Sequence, residues 1–487
     1  MKKAVSLMAA LLCLGTSLCV SAKVPYDTYT YSTQTGSTEA VYSPTAYYPA
    51  YGINKSSLGI TLSSPCAMCF DKNDCLYIVD CDGNKVVVLN PDYSLKTVIE
   101  TFDTEDGLGD FLSAPEGIFV TENLDIYICD TGNKRVLVLD SDYKIKKIYE
   151  NIVPVGGNIL SDDDYSFSPT KIVVDDSGNM YILVKNEYQG ILQVDSDGNF
   201  ISFLGSNKVT FDPVTRLWKK IMSKEQNAQM EQFLPVEYTN ISLDSEGLIL
   251  TVSKADEVSP VKRLNLSGKD VLIRNGYVDV VGDIFDDDDA SSLVDITGDE
   301  NGVIYILDSF KGRVFVYNSE GYMYYAFGTL GTQFGAFSQP ADIEVRDGDI
   351  LVCDSGNQMI TVFKRTEYAE LIYEADMAYN NAEYEESIEK WNNVIKLNSN
   401  FELAYAQIGK VYLRQSKYTE AMKYFELGNC RGDTVTKSTG YNKAFSEYRR
   451  EVASDWLAPA IIAVLVIAAG IKGVRLYRRR RKNEGKN

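Results

Sequence analysis

A short unit recurs along this chain, and it restricts the fold more than any other feature of the sequence. Leu76-Tyr77-Ile78-Val79-Asp80 runs into Asp82-Gly83-Asn84 and then Val86-Val87-Val88-Leu89. The same pattern returns as Ile126 to Leu139, Ile304 to Tyr317 and Ile350 to Phe363, with weaker copies at Met180 to Val184 and Leu248 to Val252. Each copy follows an earlier apolar stretch: Pro65 to Phe70, Pro115 to Val120, Pro169 to Val174, Asn240 to Leu243, Val294 to Ile296 and Pro340 to Val345. Short apolar runs of this length, rich in β-branched and aromatic residues and bounded by turn formers, read as strands. Between them, Asp and Asn bond nearby backbone groups and Gly accepts a positive φ. The unit is strand, turn, strand, Asp-x-Gly-Asn turn, strand, then a short edge strand. Six units of four strands predict a mainly β chain built as a six-bladed β-propeller, its middle units widened by inserts.

These units resemble NHL repeats, whose pattern is Pro-x-Gly-Ile, then Ile-Tyr-Val-Asp, then Gly-Asn-x-Arg-Ile. The second copy matches best, through Pro115, Gly117, Ile118, Tyr127, Asp130, Gly132, Asn133 and Arg135. The third and fourth copies lack the Asp and the Gly-Asn turn. The resemblance covers residues 51–366 and implies the propeller fold without assigning a function.

Beyond Phe363 the periodicity becomes helical. Tyr405, Ile408, Gly409, Tyr412, Tyr418, Ala421 and Phe425 match the 34-residue tetratricopeptide pattern, and Tyr384, Ser387 and Trp391 are the corresponding places of an earlier copy. This predicts tetratricopeptide-like helices over 367–432 and a capping helix over 433–454. Lys410 and Arg414 share a helix face and are a candidate site for an acidic partner segment; the alternative is a solvated pair.

Both ends of the chain carry targeting signals. Met1-Lys2-Lys3, an apolar stretch to Val20 and small residues at Ser21-Ala22 read as a signal peptide over 1–22. Residues 455–477 form an apolar run framed by Trp456 and Tyr477 and followed by Arg478 to Lys482. About 20 apolar residues span a bilayer, and basic residues mark the cytoplasmic side. The expectation is a single-pass, type I protein of the cell membrane, its N-terminus outside and residues 478–487 a basic cytoplasmic tail. A nuclear signal is the rival reading of the Arg run, and the adjoining apolar helix argues against it.

Composition narrows the function. The chain has no His, which removes the commonest general base and zinc ligand. Of 48 Lys and Arg, two precede residue 23 and eight follow residue 471; of 68 Asp and Glu only Glu484 lies in those ends, so 23–471 holds 38 basic against 67 acidic side chains, a net of −29. Such a body repels nucleic acid.

Seven cysteines remain after the signal, four of them clustered as Cys66, Cys69, Cys75 and Cys81. Zinc, local disulfides and plain strand positions are the competing readings, and the spacing C-x2-C-x5-C-x5-C does not make two separated zinc knuckles. Residues 23–50 are a Tyr-rich lead-in that packs on the propeller. Residues 212–232 are an inserted helical hairpin, read either as a lid or as packing. Asp286 to Asp289 read as a solvated loop rather than a calcium site, and Arg431-Gly432-Asp433 as a chance match to an adhesion tripeptide.

The start of each innermost strand should face the central channel, placing Ala67, Gly117, Lys171, Asn240, Asp295 and Asp342 in one ring. Lys171, Asn240, Asp295 and Asp342 are the candidate ligand-binding residues. Some six-bladed relatives, gluconolactonase-like enzymes, hold a divalent metal on such oxygens; here Lys171 would repel a cation. The expected function is therefore a cell-surface binding or scaffold protein without catalytic residues or cofactor. Its propeller takes an extracellular glycan or peptide, and its helices dock a membrane-protein partner. The chain resembles bacterial extracytoplasmic proteins that combine NHL and tetratricopeptide repeats with a C-terminal anchor. The alternative is a metal-dependent, gluconolactonase-like hydrolase.

Overall fold

The computed structural model describes residues 24–33, 38–103, 109–154, 165–205, 237–254, 259–276, 278–283, 291–428 and 440–484. The expected signal peptide, the helical insert 212–232, the Asp286 to Asp289 run and Arg431-Gly432-Asp433 lie outside the described residues. The chain forms six antiparallel blades arranged in a ring. Their innermost strands are Pro65–Phe70, Gly117–Val120, Pro169–Val174, Tyr238–Leu243, Leu293–Gly298 and Pro340–Arg346. Innermost strands of consecutive blades pack side by side, and blade six returns to blade one.

The strands read as unbroken apolar runs because both faces of each blade are covered. Successive side chains on a strand point to opposite faces. In blade one, Tyr77 and Val79 pack towards Ile126 and Ile128 of blade two. Leu76 and Ile78, between them, pack towards Leu351 and Cys353 of blade six. Every seam between blades holds such a cluster of buried residues.

The repeated Asp closes each well-matched blade at one rim. Asp80 is fully buried and accepts from the N–H groups of Ser63 and Ser64 at 2.7–3.0 Å and of Gly83 at 3.3 Å. Asp130, Asp308 and Asp354 take the equivalent N–H groups of Ser113, Ser292 and Ser338. A charged acceptor makes such bonds worth about 1.5–3 kcal/mol each. Blades three and four have Val184 and Ser253 at this place, so their rim lacks the cap that makes the repeat recognisable.

The N-terminal lead-in is built into the propeller. Tyr47–Ile53 is the outermost strand of blade six, paired antiparallel to Met359–Arg365. Thr28–Ser32 and Glu39–Ser43 extend blade five to six strands. The seam is aromatic: Tyr47 stacks on Phe327 with centroids 5.2 Å apart, and Phe363 meets Phe327 and Phe337 at 5.6 Å.

Two helical hairpins follow, α1 (Glu367–Asn380) with α2 (Tyr384–Leu397) and α3 (Glu402–Arg414) with α4 (Tyr418–Leu427). Thr366 caps α1, accepting from Ala369 N at 3.4 Å, and Glu367 and Glu370 sit in the first turn where the helix dipole favours acids. Gly409 is obligatory for close packing: a Cβ there would stand 2.8 Å from the Phe425 ring. The expected capping helix and membrane span are one continuous helix, α5 (Gly440–Glu484), with Pro459 inside it. Its apolar part is long enough to cross a membrane, and a proline is tolerated in such spans.

Phe363→Ala would leave a cavity in the aromatic seam between blades five and six. The expected cost is about 3–5 kcal/mol, read as a lower midpoint with unchanged slope in chemical denaturation.

Candidate ligand-binding channel

The channel is built by a bulge repeated at the head of the innermost strands. Pairing with the second strand shifts between Pro65 and Ala67, Pro169 and Lys171, Tyr238 and Asn240, Leu293 and Asp295, and Pro340 and Asp342. A bulge re-aims the side chain that follows it. Blade two has Gly117 instead; a Cβ there would meet Thr170 O at 2.4 Å and Lys171 Cα at 3.0 Å, so only glycine lets blade three approach where Lys171 emerges.

Ala67, Lys171, Asn240, Asp295 and Asp342 all line the central channel, a cavity of about 230 Å³. Their polar atoms tie blades together. Asp295 Oδ1 accepts from Asn240 Nδ2 of blade four and from Ile296 N at 2.7 Å, and its Oδ2 accepts from Ile343 N of blade six at 2.6 Å. Asp342 Oδ1 accepts from Met68 N of blade one at 3.1 Å. Lys171 Nζ reaches across the axis to Asp342 Oδ2 and to Cys66 O, each at 3.4 Å.

The electrostatics follow from this enclosure. Burial raises the Asp295 carboxyl well above its usual range, and the neighbouring Asp342 adds to the rise. Burial also raises Asp342, with Lys171 opposing. Burial works against the Lys171 ammonium, yet Asp342 and Asp295 more than offset it and the pKa stands above the ordinary lysine value. The ring oxygens do not suit a divalent metal. They are occupied by N–H donors, an ammonium already sits on Asp342, and among the described residues no three His, Cys, Asp or Glu side chains converge on one ion site.

Two residues further along each innermost strand lies a second tier: Cys69, Phe119, Val173, Ser242, Thr297 and Glu344. These positions escaped the sequence reading, although the period of two from the first ring locates them. Together the tiers make the channel two-sided. Blades four to six present Asn240, Ser242, Asp295, Thr297, Asp342 and Glu344; blades one to three present Ala67, Cys69, Phe119 and Val173, with Lys171 as their one cation. Burial pushes the Glu344 carboxyl up to about 8, Asp342 contributing, while the Val345 N–H, Lys171 and Thr297 oppose the rise.

The helical candidates are placed differently. Lys410 points inward, ion-paired with Glu320 of blade five and 4.5 Å over the Tyr322 ring. Arg414 is exposed, its Nε 3.5 Å from the Tyr379 hydroxyl. The clustered cysteines are blade-one residues and are free thiols, as are Cys129 and Cys353.

No protein-family model and no curated protein matches this chain. Solved propellers do. Virginiamycin B lyase from Staphylococcus aureus is 13% identical over 65% of this chain and 99% of its own, with a TM-score of 0.41. A candidate gluconolactonase is 11% identical over 66% of this chain and 94% of its own, with a TM-score of 0.39. The extracellular domain of a hybrid two-component system from B. thetaiotaomicron, described as such on a provisional basis, is 11% identical over 67% of this chain and 35% of its own, with a TM-score of 0.37. The likeness is one of fold.

Between the ordinary carboxyl value of 4.5 and about 8, folded Glu344 keeps a proton that the unfolded chain has lost. Folded protein therefore binds more protons in that window, and this group's contribution to stability falls as pH rises through it. Glu344→Gln removes the contribution. Melting temperatures from pH 5 to pH 9 should show the variant gaining on the wild type as pH increases; parallel curves would contradict the assignment.

Proposed function

We propose that this is a non-catalytic, membrane-anchored binding protein of the extracytoplasmic surface. Its propeller holds a small polar ligand, a glycan unit or a peptide end, in the central channel. The observation that carries this reading is the two-sided wall. Carboxylates, an amide and hydroxyls on blades four to six can bond hydroxyl or amine groups, while Phe119 and its apolar neighbours cover the ligand's less polar face. A sequence without histidine, and ring carboxylates already bonded to backbone N–H groups, favour binding over the metal-dependent hydrolase.

The helical hairpins are tetratricopeptide-like in this reading and dock a membrane-protein partner. Lys410 is engaged with blade five, so Arg414 and the exposed edge beside Tyr379 are the part of that face left for a partner. The apolar stretch of α5 supplies the anchor, with the basic residues from Arg478 onward on the cytoplasmic side.

Binding is tested with detergent-solubilised full chain against glycan and free-amine peptide arrays. Phe119→Ala and Glu344→Gln should each weaken the best hit by about tenfold, equivalent to 1.4 kcal/mol, without loss of the folded state. Wild-type affinity in both variants would move the site out of the channel. A stoichiometric divalent ion in the purified chain would instead revive the hydrolase. Sidedness is checked by protease treatment of intact cells, which should remove the propeller and leave an α5 fragment in the membrane.

A further inference from the structure

Blade one carries two thiols that the channel does not use. The bulge at the head of its innermost strand sets both Pro65 and Cys66 opposite Asp80, the residue before Cys81. Cys81 N donates to Ser64 O at 3.0 Å, and the buried Asp80 carboxylate holds Ser63, Ser64 and Gly83 around it. Cys66, in the bulge, and Cys81, the first residue beyond the second strand, are thus diagonal neighbours across the strand pair. Cys66 Sγ donates to Pro115 O at 3.6 Å, and the two thiols lie close enough to perturb one another, Cys66 raised and Cys81 lowered. Both residues are half-buried and within reach of solvent, whereas Cys69, Cys75, Cys129 and Cys353 are buried.

We propose that Cys66 and Cys81 are a redox-active dithiol that closes to a disulfide at the channel mouth on meeting a small-molecule or protein disulfide. In the first step the Cys81 thiolate attacks one sulfur of the oxidant, forming a mixed disulfide and releasing one thiolate. In the second, Cys66 gives up its proton and attacks Cys81 Sγ, expelling the second thiol. One intramolecular S–S bond forms, the oxidant's S–S bond breaks, and two electrons pass to the oxidant. The assignment of roles follows from the contact. The neighbouring Cys66 thiol, with Lys185 adding, lowers the Cys81 thiol and overcomes its partial burial and the nearby Glu116 and Asp82; the same proximity, with burial, raises Cys66.

Closure would act on the site. The Cys66 carbonyl accepts from Lys171, and Met68, two residues on, donates to Asp342. A cross-link between Cys66 and Cys81 fixes the bulge from which both contacts are made. The inference does not depend on which ligand the channel takes.

The full chain in detergent is treated with oxidised glutathione, remaining thiols are alkylated with N-ethylmaleimide, and the protein is digested and mapped without reduction. A Cys66–Cys81 link is expected, with the four buried cysteines alkylated only after unfolding, and the melting temperature should rise on oxidation. Cys66→Ser should trap Cys81 as a glutathione adduct; Cys81→Ser should leave Cys66 unmodified. The link should persist in a Cys69→Ser/Cys75→Ser variant. Wild-type chain in which both residues stay alkylatable after oxidation, or in which either pairs with Cys69 or Cys75, overturns the proposal, whatever the variants do.

Discussion

Strand Tyr47–Ile53, donated from ahead of the first blade, closes the ring by pairing with Met359–Arg365 at the end of the last. An open ring of blades would leave one seam unburied and the ends of the sheet array unpaired. Here the closing strand also supplies Tyr47, which is fully buried, stacks on Phe327 and accepts from Arg365 Nε at 3.0 Å through its hydroxyl. Its hydroxyl also donates to Gly348 O at 3.2 Å. Each aromatic pair contributes about 0.5–1.5 kcal/mol beyond its burial. At its other end the strand packs Ile53 with Met68, Leu76 and Ile78 of blade one, and at that seam between blades six and one Asp342 reaches Met68 N. One bond of the polar ring therefore spans the closure, while Asp295 is held by the neighbouring blades four and six.

The helices depend on the same seam. Tyr368, Ala369, Ile372, Trp391, Phe401 and Ile408 belong to one buried cluster with Phe327, Phe337 and Phe363 of blades five and six. Buried polar groups on the helices are met from the propeller side: Asp376 accepts from Tyr324 Oη and Asn318 Nδ2, and Glu402 accepts from Ser32 Oγ and Thr33 N. Arg365 stacks 3.8 Å over Tyr373 just before α1. An interface with a shared core and satisfied buried charges makes the hairpins an extension of the propeller. It also explains why Lys410, on a face that looks solvated in sequence, is turned inward to Glu320.

How much could be read in advance follows from which residues repeat. Asp80, Asp130, Asp308 and Asp354 perform the same rim-capping task, so four blades announce themselves. Blades three and four were locatable through their inner strands although Val184 and Ser253 replace the cap. The lead-in was harder. Thr28-Tyr29-Thr30-Tyr31 alternates, but Tyr and Thr carry no apolar contrast, and the strands pair with blades about 300 residues away, contacts that no local pattern encodes. In the site, the strand heads of Lys171, Asn240, Asp295 and Asp342 were legible, whereas their bonds to Ile343 N and Met68 N were not, because a backbone donor has no sequence signature. Glu344 and Phe119 needed one further step of two residues along strands already identified.

The difference between the two tiers of the channel is one of satisfaction. At the upper ring, each carboxylate has a backbone N–H from the next blade, and the ammonium has a carboxylate and a carbonyl. Removing any one leaves a buried polar group uncompensated, at a cost of about 1–3 kcal/mol or more for a charge, so these residues are held in place as a frame. The lower tier is less committed. Val345 N–H, Lys171 and Thr297 favour the charged form of Glu344, yet burial still holds its carboxyl up at about 8, so the pocket does not solvate the charge well. A group that is partly satisfied and facing a cavity gains most from a ligand's donor. In the binding role proposed for the channel, the opposite wall, Phe119 and Val173, has no polar demand and would take the face the ligand turns away from Glu344. In that proposed role, specificity would rest on the tier that the frame leaves under-satisfied, and a ligand could bind without loosening the contacts that hold the ring shut.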